Sequence, residues 1–143
     1  MARYKIHEDK ATADIAFSTQ GKDLNELFEN AAFAVFEVMA DLSTIESKDS
    51  KKFEFESGSI QNLLFDFLSE IVYLKDAEYM VFKDSKVSIA EKGKKYKLKA
   101  KVFGEGIDQE KHSLKCDVKA ITLHMFSVEK AKKGWEAFVV VDI

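Results

Sequence analysis

Residues 94–103 read KKYKLKAKVF, and their alternation decides the fold class of the chain. Apolar side chains occupy every second position from 96 to 102, and lysines occupy positions 97, 99 and 101 between them. Successive side chains of a strand point to opposite faces, so the apolar set faces a core and the lysines face water. The same period of two recurs from Tyr79 to the end of the chain, with hairpin turns expected around Gly93 and Gly134. This half of the chain therefore predicts a run of antiparallel strands.

Two segments before this run have helical spacing. DLNELFENAAFAVFEVMADL (23–42) opens on Asp23 and carries Glu26 three residues later, which is typical of a capped helix start. SIQNLLFDFLSEIVYL (59–74) follows, with Ser59 as its expected N-cap. The apolar stripes are Leu24, Leu27, Phe28, Ala31, Val35, Phe36 and Met39 in the first segment, and Leu63, Leu64, Phe67, Leu68, Ile71 and Leu74 in the second. Each stripe predicts one buried helix face.

Shorter patterns complete the expected architecture. Residues 4–17 predict a first strand, interrupted near residues 9 and 10, in which Ala13, Ile15 and Phe17 face inward. STQGKD (18–23) predicts a turn, and KKFEFES (51–57) predicts a short strand. We therefore expect one α+β domain over residues 1–143, with a mostly antiparallel sheet and two helices packed on one of its faces.

Composition excludes several classes of protein. The net charge of −3 argues against bulk electrostatic capture of nucleic acid, and the single cysteine forms no internal disulfide. No apolar run is long enough to span a bilayer, and the N-terminus has no secretory signal pattern, so we expect a cytoplasmic protein without a membrane partner. The spacing of cysteine and histidine rules out a compact zinc motif, and no phosphate-binding loop or nucleophile elbow is present.

Carboxylates at the two ends of the chain are the first candidate site. Asp14 lies on the first strand, and Asp142 ends the last strand one residue before the terminal carboxylate of Ile143. If the first and last strands are neighbours, these three anionic groups converge, and oxygen ligands of this kind suit calcium, magnesium or manganese. The alternative is that both aspartates are solvated acids at strand ends, which is the commoner situation.

A second candidate region covers residues 104–126, GEGIDQEKHSLKCDVKAITLHMF. Its first part is expected to be a polar loop that includes Glu105 and His112. Its second part alternates as a strand, with Lys119 on the same face as Ile121 and Leu123. A lysine among apolar residues either extends its charge to water or is placed to meet an anion. His124 is more often a histidine at the edge of a core than a ligand.

Together these motifs resemble one family. TADI (12–15), DLNELFENAAFAVFEVM (23–39), LLFDFLSEIVY (63–73), GE followed by KH (104–105 and 111–112), VKAITLH (118–124) and the final DI occur in the order and spacing of archease. Each motif alone is weak, whereas the ordered set is specific and covers essentially the whole chain. Archease is the small protein that works with RtcB-type tRNA-splicing ligases.

The resemblance implies a function and a set of site residues. It implies a metal site made by Asp14, Asp142 and Ile143, with calcium as the first expectation and manganese or magnesium as alternatives. It implies a protein that is not itself an enzyme but promotes guanylylation and multiple turnover of the ligase, with RNA contacted indirectly through that partner. Lys119, together with Glu105 and His112, is the expected group of ligase-activating residues.

The chain departs from the family pattern at two positions. A histidine often precedes TAD, but Ala11 stands there, so any assistance from that histidine is missing. The tyrosine that often follows VKAIT is replaced by Leu123. Two other functions stay open from the residues alone: a stand-alone metal-dependent hydrolase, for which the sequence offers no nucleophile, and a general protein or RNA chaperone, supported only by the lysine face at 97, 99 and 101.

Overall fold

A computed structural model describes residues 4–8 and 14–143 of the chain. Within these ranges the elements are β1 (Tyr4–Glu8), β2 (Asp14–Gly21), α1 (Leu24–Met39), a 3-10 turn (Leu42–Thr44), β3 (Asp49–Ser57), α2 (Ile60–Glu78), β4 (Met80–Lys92), β5 (Lys95–Gly106), β6 (Ala120–Ala131) and β7 (Gly134–Asp142). All strand pairs are antiparallel. The expected α+β architecture is confirmed.

The strands form two sheets, where the sequence pattern led us to expect one. The first sheet has the order β1-β2-β7-β6 and the second the order β3-β5-β4. Both helices contact strands of both sheets, with α1 against β2 and β4 and α2 against β6 and β3. A helix placed in this way buries more than one stripe, and consecutive residues 30–32 and 34–36 of α1 are all buried.

The helices begin where their capping residues predict. The Asp23 carboxylate accepts a hydrogen bond from the Glu26 N–H at 2.9 Å, and the Ser59 hydroxyl accepts one from the Asn62 N–H at 3.3 Å. Both predicted stripes lie in one shared core, apart from Leu24, which packs against its edge. Phe28 of α1 and Phe67 of α2 contact each other with ring centroids 5.6 Å apart, so the two helices meet through aromatic side chains.

The N-terminal segment differs from the sequence interpretation. The single interrupted strand is a pair, β1 and β2, in which Tyr4 lies opposite Thr19. Ile15 and Phe17 are buried as expected, whereas Ala13, Ala11 and the expected interruption at 9–10 lie outside the described residues. The turn expected at 18–23 begins later, because β2 continues to Gly21 and pairs with β7 over its whole length. Among the described residues, no helix is long and apolar enough to cross a membrane.

Candidate functional site

β2, which forms the second part of the predicted first strand, is the direct neighbour of β7, the last strand, and this brings the two predicted aspartates together. In the β2–β7 pair, Asp14 lies opposite Asp142, and the next pair, Ile15 and Val141, is buried in the core. Alternation therefore turns both carboxylates away from the core, and each of these residues is half-buried. Residues directly opposite on neighbouring strands have Cβ atoms about 5 Å apart, and two like charges at that spacing destabilise a sheet.

The donor chemistry of this pair fits a hard cation. A cation with oxygen ligands between the carboxylates would offset their repulsion. Ile143 packs its side chain against the core, which fixes the main chain just beyond Asp142. The described residues contain no cluster of three or more His, Cys, Asp or Glu side chains arranged around a metal position. The terminal carboxylate of Ile143 is the third ligand that the resemblance to archease implies, and Ile143 lies directly after Asp142.

Lys119 lies beside this carboxylate pair. Its backbone N–H donates to the Asp142 carbonyl at 2.8 Å, and Ala120, the next residue, lies opposite Asp142 in the β6–β7 pair. Asp142 is thus held by β2 on one side and by the start of β6 on the other. The side chain of Lys119 is exposed, so its ammonium group is available to an anion outside the protein.

The expectation that Lys119 shares a strand face with Ile121 and Leu123 is wrong in part. β6 begins at Ala120, and Ile121 is buried while Lys119 and Leu123 are exposed. The pairing of β6 with β7 shifts between Thr122 and Ser127, so that extra residues on β6 bulge outward. His124 is an exposed residue of this bulge and does not lie at the edge of the core.

Glu105 and His112 form a second, buried group. The His112 Nε2 lies 3.0 Å from the Glu105 Oε2, and the His112 Nδ1 accepts a hydrogen bond from the Asp108 N–H at 2.9 Å. Because Nδ1 is an acceptor, the neutral ring carries its proton on Nε2 and donates it to Glu105. The Glu46 N–H and the Lys111 ammonium group donate to the same carboxylate.

These contacts set the charge state of Glu105. The hydrogen bond from His112, followed by those from Glu46 and Lys111, lowers the pKa of Glu105 to about 2. The hydrogen bond to Glu105 in turn raises the pKa of Lys111. No described hydrogen bond or ion pair joins this group to Lys119, so the structure brings Glu105 and His112 together but does not unite them with the carboxylate pair.

Residues 107–119, the connecting segment, run from the buried group to the carboxylate pair. Backbone hydrogen bonds fasten the segment to the end of α1: the Asp41 N–H donates to the Ser113 carbonyl, the Lys115 N–H to the Met39 carbonyl and the Cys116 N–H to the Val38 carbonyl. The last bond, from the Lys119 N–H to Asp142, ties the segment to β7. The segment is therefore held along its length by α1 and β7.

Lys75, near the end of α2, is a site residue that the sequence interpretation missed. It is only 7% exposed, and its Nζ donates to the Val118 carbonyl at 2.8 Å, to Asp76 at 2.9 Å and to the Asp117 carboxylate. Burial lowers the pKa of Lys75, but the hydrogen bonds to Asp117 and Asp76 outweigh burial, and its pKa is raised overall. The signal was present in the helical spacing, since position 75 follows Leu64, Leu68 and Ile71 on the buried face.

Comparison with known proteins finds similar proteins that match the chain over nearly its whole length. A sequence model of the Archease protein family (MTH1598/TM1083) matches residues 4–143. The protein archease of Pyrococcus abyssi is 42% identical over 144 residues, which cover 100% of both chains. The protein archease of Pyrococcus furiosus is 44% identical over 133 residues, which cover 92% of this chain and 94% of the relative.

Solved structures agree with the sequence comparison. The solution structure of Methanobacterium thermoautotrophicum protein 1598 matches with a TM-score of 0.88 at 36% identity, and the match covers 100% of both chains. A crystal structure from Thermotoga maritima, described as an archease and possible chaperone, matches with a TM-score of 0.59 at 21% identity over 96% of this chain and 98% of that one. At that identity the second match shows a shared fold alone.

Proposed function

The chain belongs to the Archease protein family, and from that premise we propose that it is an accessory protein that activates an RtcB-type RNA ligase in tRNA splicing. In this proposal the protein has no catalytic activity of its own. It promotes guanylylation of the ligase and lets each ligase molecule turn over many times, in the cytoplasm, and it meets RNA through the ligase.

One observation carries the proposal: Asp14 and Asp142 lie opposite each other, and Lys119 is tied to the Asp142 carbonyl. The two carboxylates and the terminal carboxylate of Ile143 form a set of oxygen donors suited to calcium, with manganese or magnesium as alternatives. When bound there, a divalent cation supplies positive charge that offsets the charge of phosphate oxygens.

The residues of this chain then have distinct tasks. Asp14 and Asp142 bind the cation where the two inner strands of the first sheet end, and Lys119 presents a second positive charge to the partner's phosphates or carboxylates. Glu105 and His112 are buried, so we assign them to holding the connecting segment, on which Lys119 lies, and not to direct contact with the ligase. Activation then depends on a preorganised arrangement of positive charge, which costs little reorganisation when the partner binds.

Two other functions have weaker support. A metal-dependent hydrolase needs a nucleophile or base beside the metal in addition to the ligands, and the sequence offers no nucleophile motif. A general chaperone needs an exposed surface for clients, and the lysine face offers one at which Lys99 is already 3.8 Å from Glu54.

The test is an RNA-joining assay with a cognate ligase at limiting concentration, GTP and cleaved RNA ends. We expect the protein alone to join no RNA and to hydrolyse no nucleotide, and we expect it to raise the number of RNA molecules joined per ligase. The matched variants are Lys119→Ala and Lys97→Ala, since both remove a lysine but only the first lies beside Asp142. Nucleotide hydrolysis by the purified protein that disappears in Asp14→Ala would instead support the hydrolase.

A further inference from the structure

A recess lies at one end of the first sheet, and the carboxylate pair lies at the other end. In the β2–β7 pair, Gly21 lies opposite Trp135 at one end, and Asp14 lies opposite Asp142 at the other. Seven residues separate these two ends of β2, a distance of about 24 Å along a strand. The recess has a volume of about 840 Å³, and its walls come from the start of α1, from β4 and from the turn between β6 and β7. It is therefore a separate cleft of a size suited to a small molecule.

Two glycines bring the walls of this cleft close together. Gly134 has a φ of +136°, and a Cβ on it would come within 2.2 Å of the Gly21 carbonyl oxygen. Only glycine allows this contact, and it places the turn between β6 and β7 against the turn between β2 and α1. As a result three exposed lysines, Lys22, Lys132 and Lys133, line the same opening. These lysines supply the positive charge that a phosphate-binding edge requires, and the lining of the cleft also includes the carboxylates of Glu26, Glu29 and Asp84.

One polar group on the inner wall of the cleft has no hydrogen-bond partner among the described residues. The Ser85 hydroxyl oxygen is the buried side-chain polar atom that lacks a hydrogen-bond partner in the described part of the chain, and Ser85 lines the cleft. Buried polar atoms are nearly always paired, so the Ser85 hydroxyl has hydrogen-bonding capacity left for a water molecule or a ligand.

Glu29 is one of three carboxylates that line the cleft, and it is held by a backbone hydrogen bond from β4. Its Oε2 accepts a hydrogen bond from the Val87 N–H at 2.8 Å, which fixes the position of the carboxyl group. Burial, with a further contribution from the nearby Asp84 charge, raises the pKa of Glu29. A carboxylate in these surroundings is stabilised by any ligand that brings hydrogen-bond donors to it.

Trp135 and Phe33 add aromatic surface to the same cleft. A flat ring system packs well against such side chains. The cleft therefore combines a flat apolar surface, a carboxylate acceptor and a lysine edge, and these are the groups that a base, its donor edge and a phosphate require. Among the common bases, guanine is the one that offers two adjacent donors, a ring N–H and an amino group, to a single carboxylate.

We propose that this cleft binds a guanine nucleotide, with the base against Trp135, its donor edge at Glu29 and Ser85, and its phosphate at Lys22, Lys132 and Lys133. The site goes beyond the ligase activation proposed above and does not depend on it. Either proposal can fail while the other stands, because nucleotide binding is measured on the protein alone in buffer without divalent cations.

Trp135 is the only tryptophan of the chain, so its fluorescence reports on this cleft directly. We expect GMP to give a saturable change in Trp135 fluorescence, matched by calorimetry, and to bind at least about tenfold more tightly than AMP. Ribose 5-phosphate and inorganic phosphate should bind more weakly than either nucleotide. The dinucleotide GpU, run beside GMP, distinguishes an RNA end from a free nucleotide as the source of the same guanine chemistry.

Three variants separate the parts of the site. Glu29→Gln keeps an acceptor for the Val87 N–H but loses the charge, and it should remove the preference for GMP over AMP. Lys132→Ala combined with Lys133→Ala should weaken all nucleotides alike, whereas Lys97→Ala, on the other sheet, should change nothing. The proposal is overturned if GMP gives no saturable signal up to millimolar concentration, if inorganic phosphate competes as well as GMP, or if Glu29→Gln leaves the preference for GMP unchanged.

Discussion

Replacing Lys75 tests whether α2 holds the connecting segment in place beside the carboxylate pair. Lys75→Met keeps a side chain of similar length and removes all three hydrogen bonds of the ammonium group. The side chains of Asp76 and Asp117 are 63% and 73% exposed, so both return to water at little cost. The Val118 carbonyl is buried and loses this donor, and that loss sets the magnitude.

Leaving a buried carbonyl without its donor costs about 1–3 kcal/mol, and removing a buried charge returns part of this amount. We therefore expect Lys75→Met to lower the free energy of unfolding by about 1–2 kcal/mol, which is roughly 3–8 °C in Tm for a domain of this size. The matched control is Lys51→Met. Lys51 makes a 2.8 Å ion pair with Glu78 at the end of the same helix, but both partners are substantially exposed, so its loss should have almost no effect.

Hydrogen exchange near Lys119 is a more specific readout of this substitution than the change in Tm. The Lys119 N–H is protected by its hydrogen bond to Asp142, one residue beyond the carbonyl that Lys75 holds. Hydrogen exchange at this amide should become faster in Lys75→Met by a larger factor than exchange at Val139, in the middle of β7. If exchange at Lys119 is unchanged while Tm falls, Lys75 contributes to stability alone. If neither changes, the hydrogen bonds of Lys75 do not hold this segment.

Three further predictions concern the predicted site residues. Lys119→Ala should leave the free energy of unfolding within about 0.5 kcal/mol of the parent and abolish activation in the ligation assay; activation equal to the parent would mean that the lysine merely extends its charge into water. Deleting Ile143 moves the terminal carboxylate back by about 3.3 Å along the strand and should abolish calcium binding in calorimetry, whereas Asp142→Asn should weaken it less; equal affinities would exclude the terminal carboxylate as a ligand. The folded pKa of Glu105, about 2, lies below the ordinary value of 4.5, so its contribution to stability is present above about pH 4.5 and lost as the pH falls toward 2. Glu105→Gln should therefore flatten the decrease in Tm over that acid range, and an unchanged acid profile would contradict the assigned hydrogen bonds.

The faces of the elements and the hairpin partners around Gly93 and Gly134 were predictable from the sequence, but the pairings between strands distant in the chain were not. Periodicity identified the buried sides of α1 and α2 and the inward set on β5, because burial in those elements follows local spacing. The division into two sheets depends on pairings such as β2 with β7, between residues at opposite ends of the chain. An alternation with a period of two shows which face of a strand is buried. It carries no information about which other strand lies beside it.

Helical spacing places Lys75 on the buried face of α2, but neither its partners nor the bulge in β6 could be assigned from local pattern. A lysine at the edge of an apolar stripe usually extends its charge to water. Burial of Lys75 is favourable because it forms hydrogen bonds to Asp117 and Val118, which lie 42 and 43 residues further along the chain. The bulge places Met125 at a positive φ of 55°, a conformation that its sequence gives no reason to expect. Both features arise where the chain is constrained by tertiary contacts.

The position of Lys119 follows from contacts on both sides of one peptide unit. Lys75 holds the Val118 carbonyl from α2, and Asp142 accepts the Lys119 N–H from β7, so the two ends of the peptide bond between Val118 and Lys119 are fixed by different elements. The same Asp142 lies opposite Asp14, which means that any displacement of β7 moves the carboxylate pair and Lys119 together. Chain order separates these residues widely, and the carboxylates alone could be read as solvated acids at strand ends. Their connection through one carbonyl and one amide is the physical reason to treat Asp14, Asp142 and Lys119 as a single site.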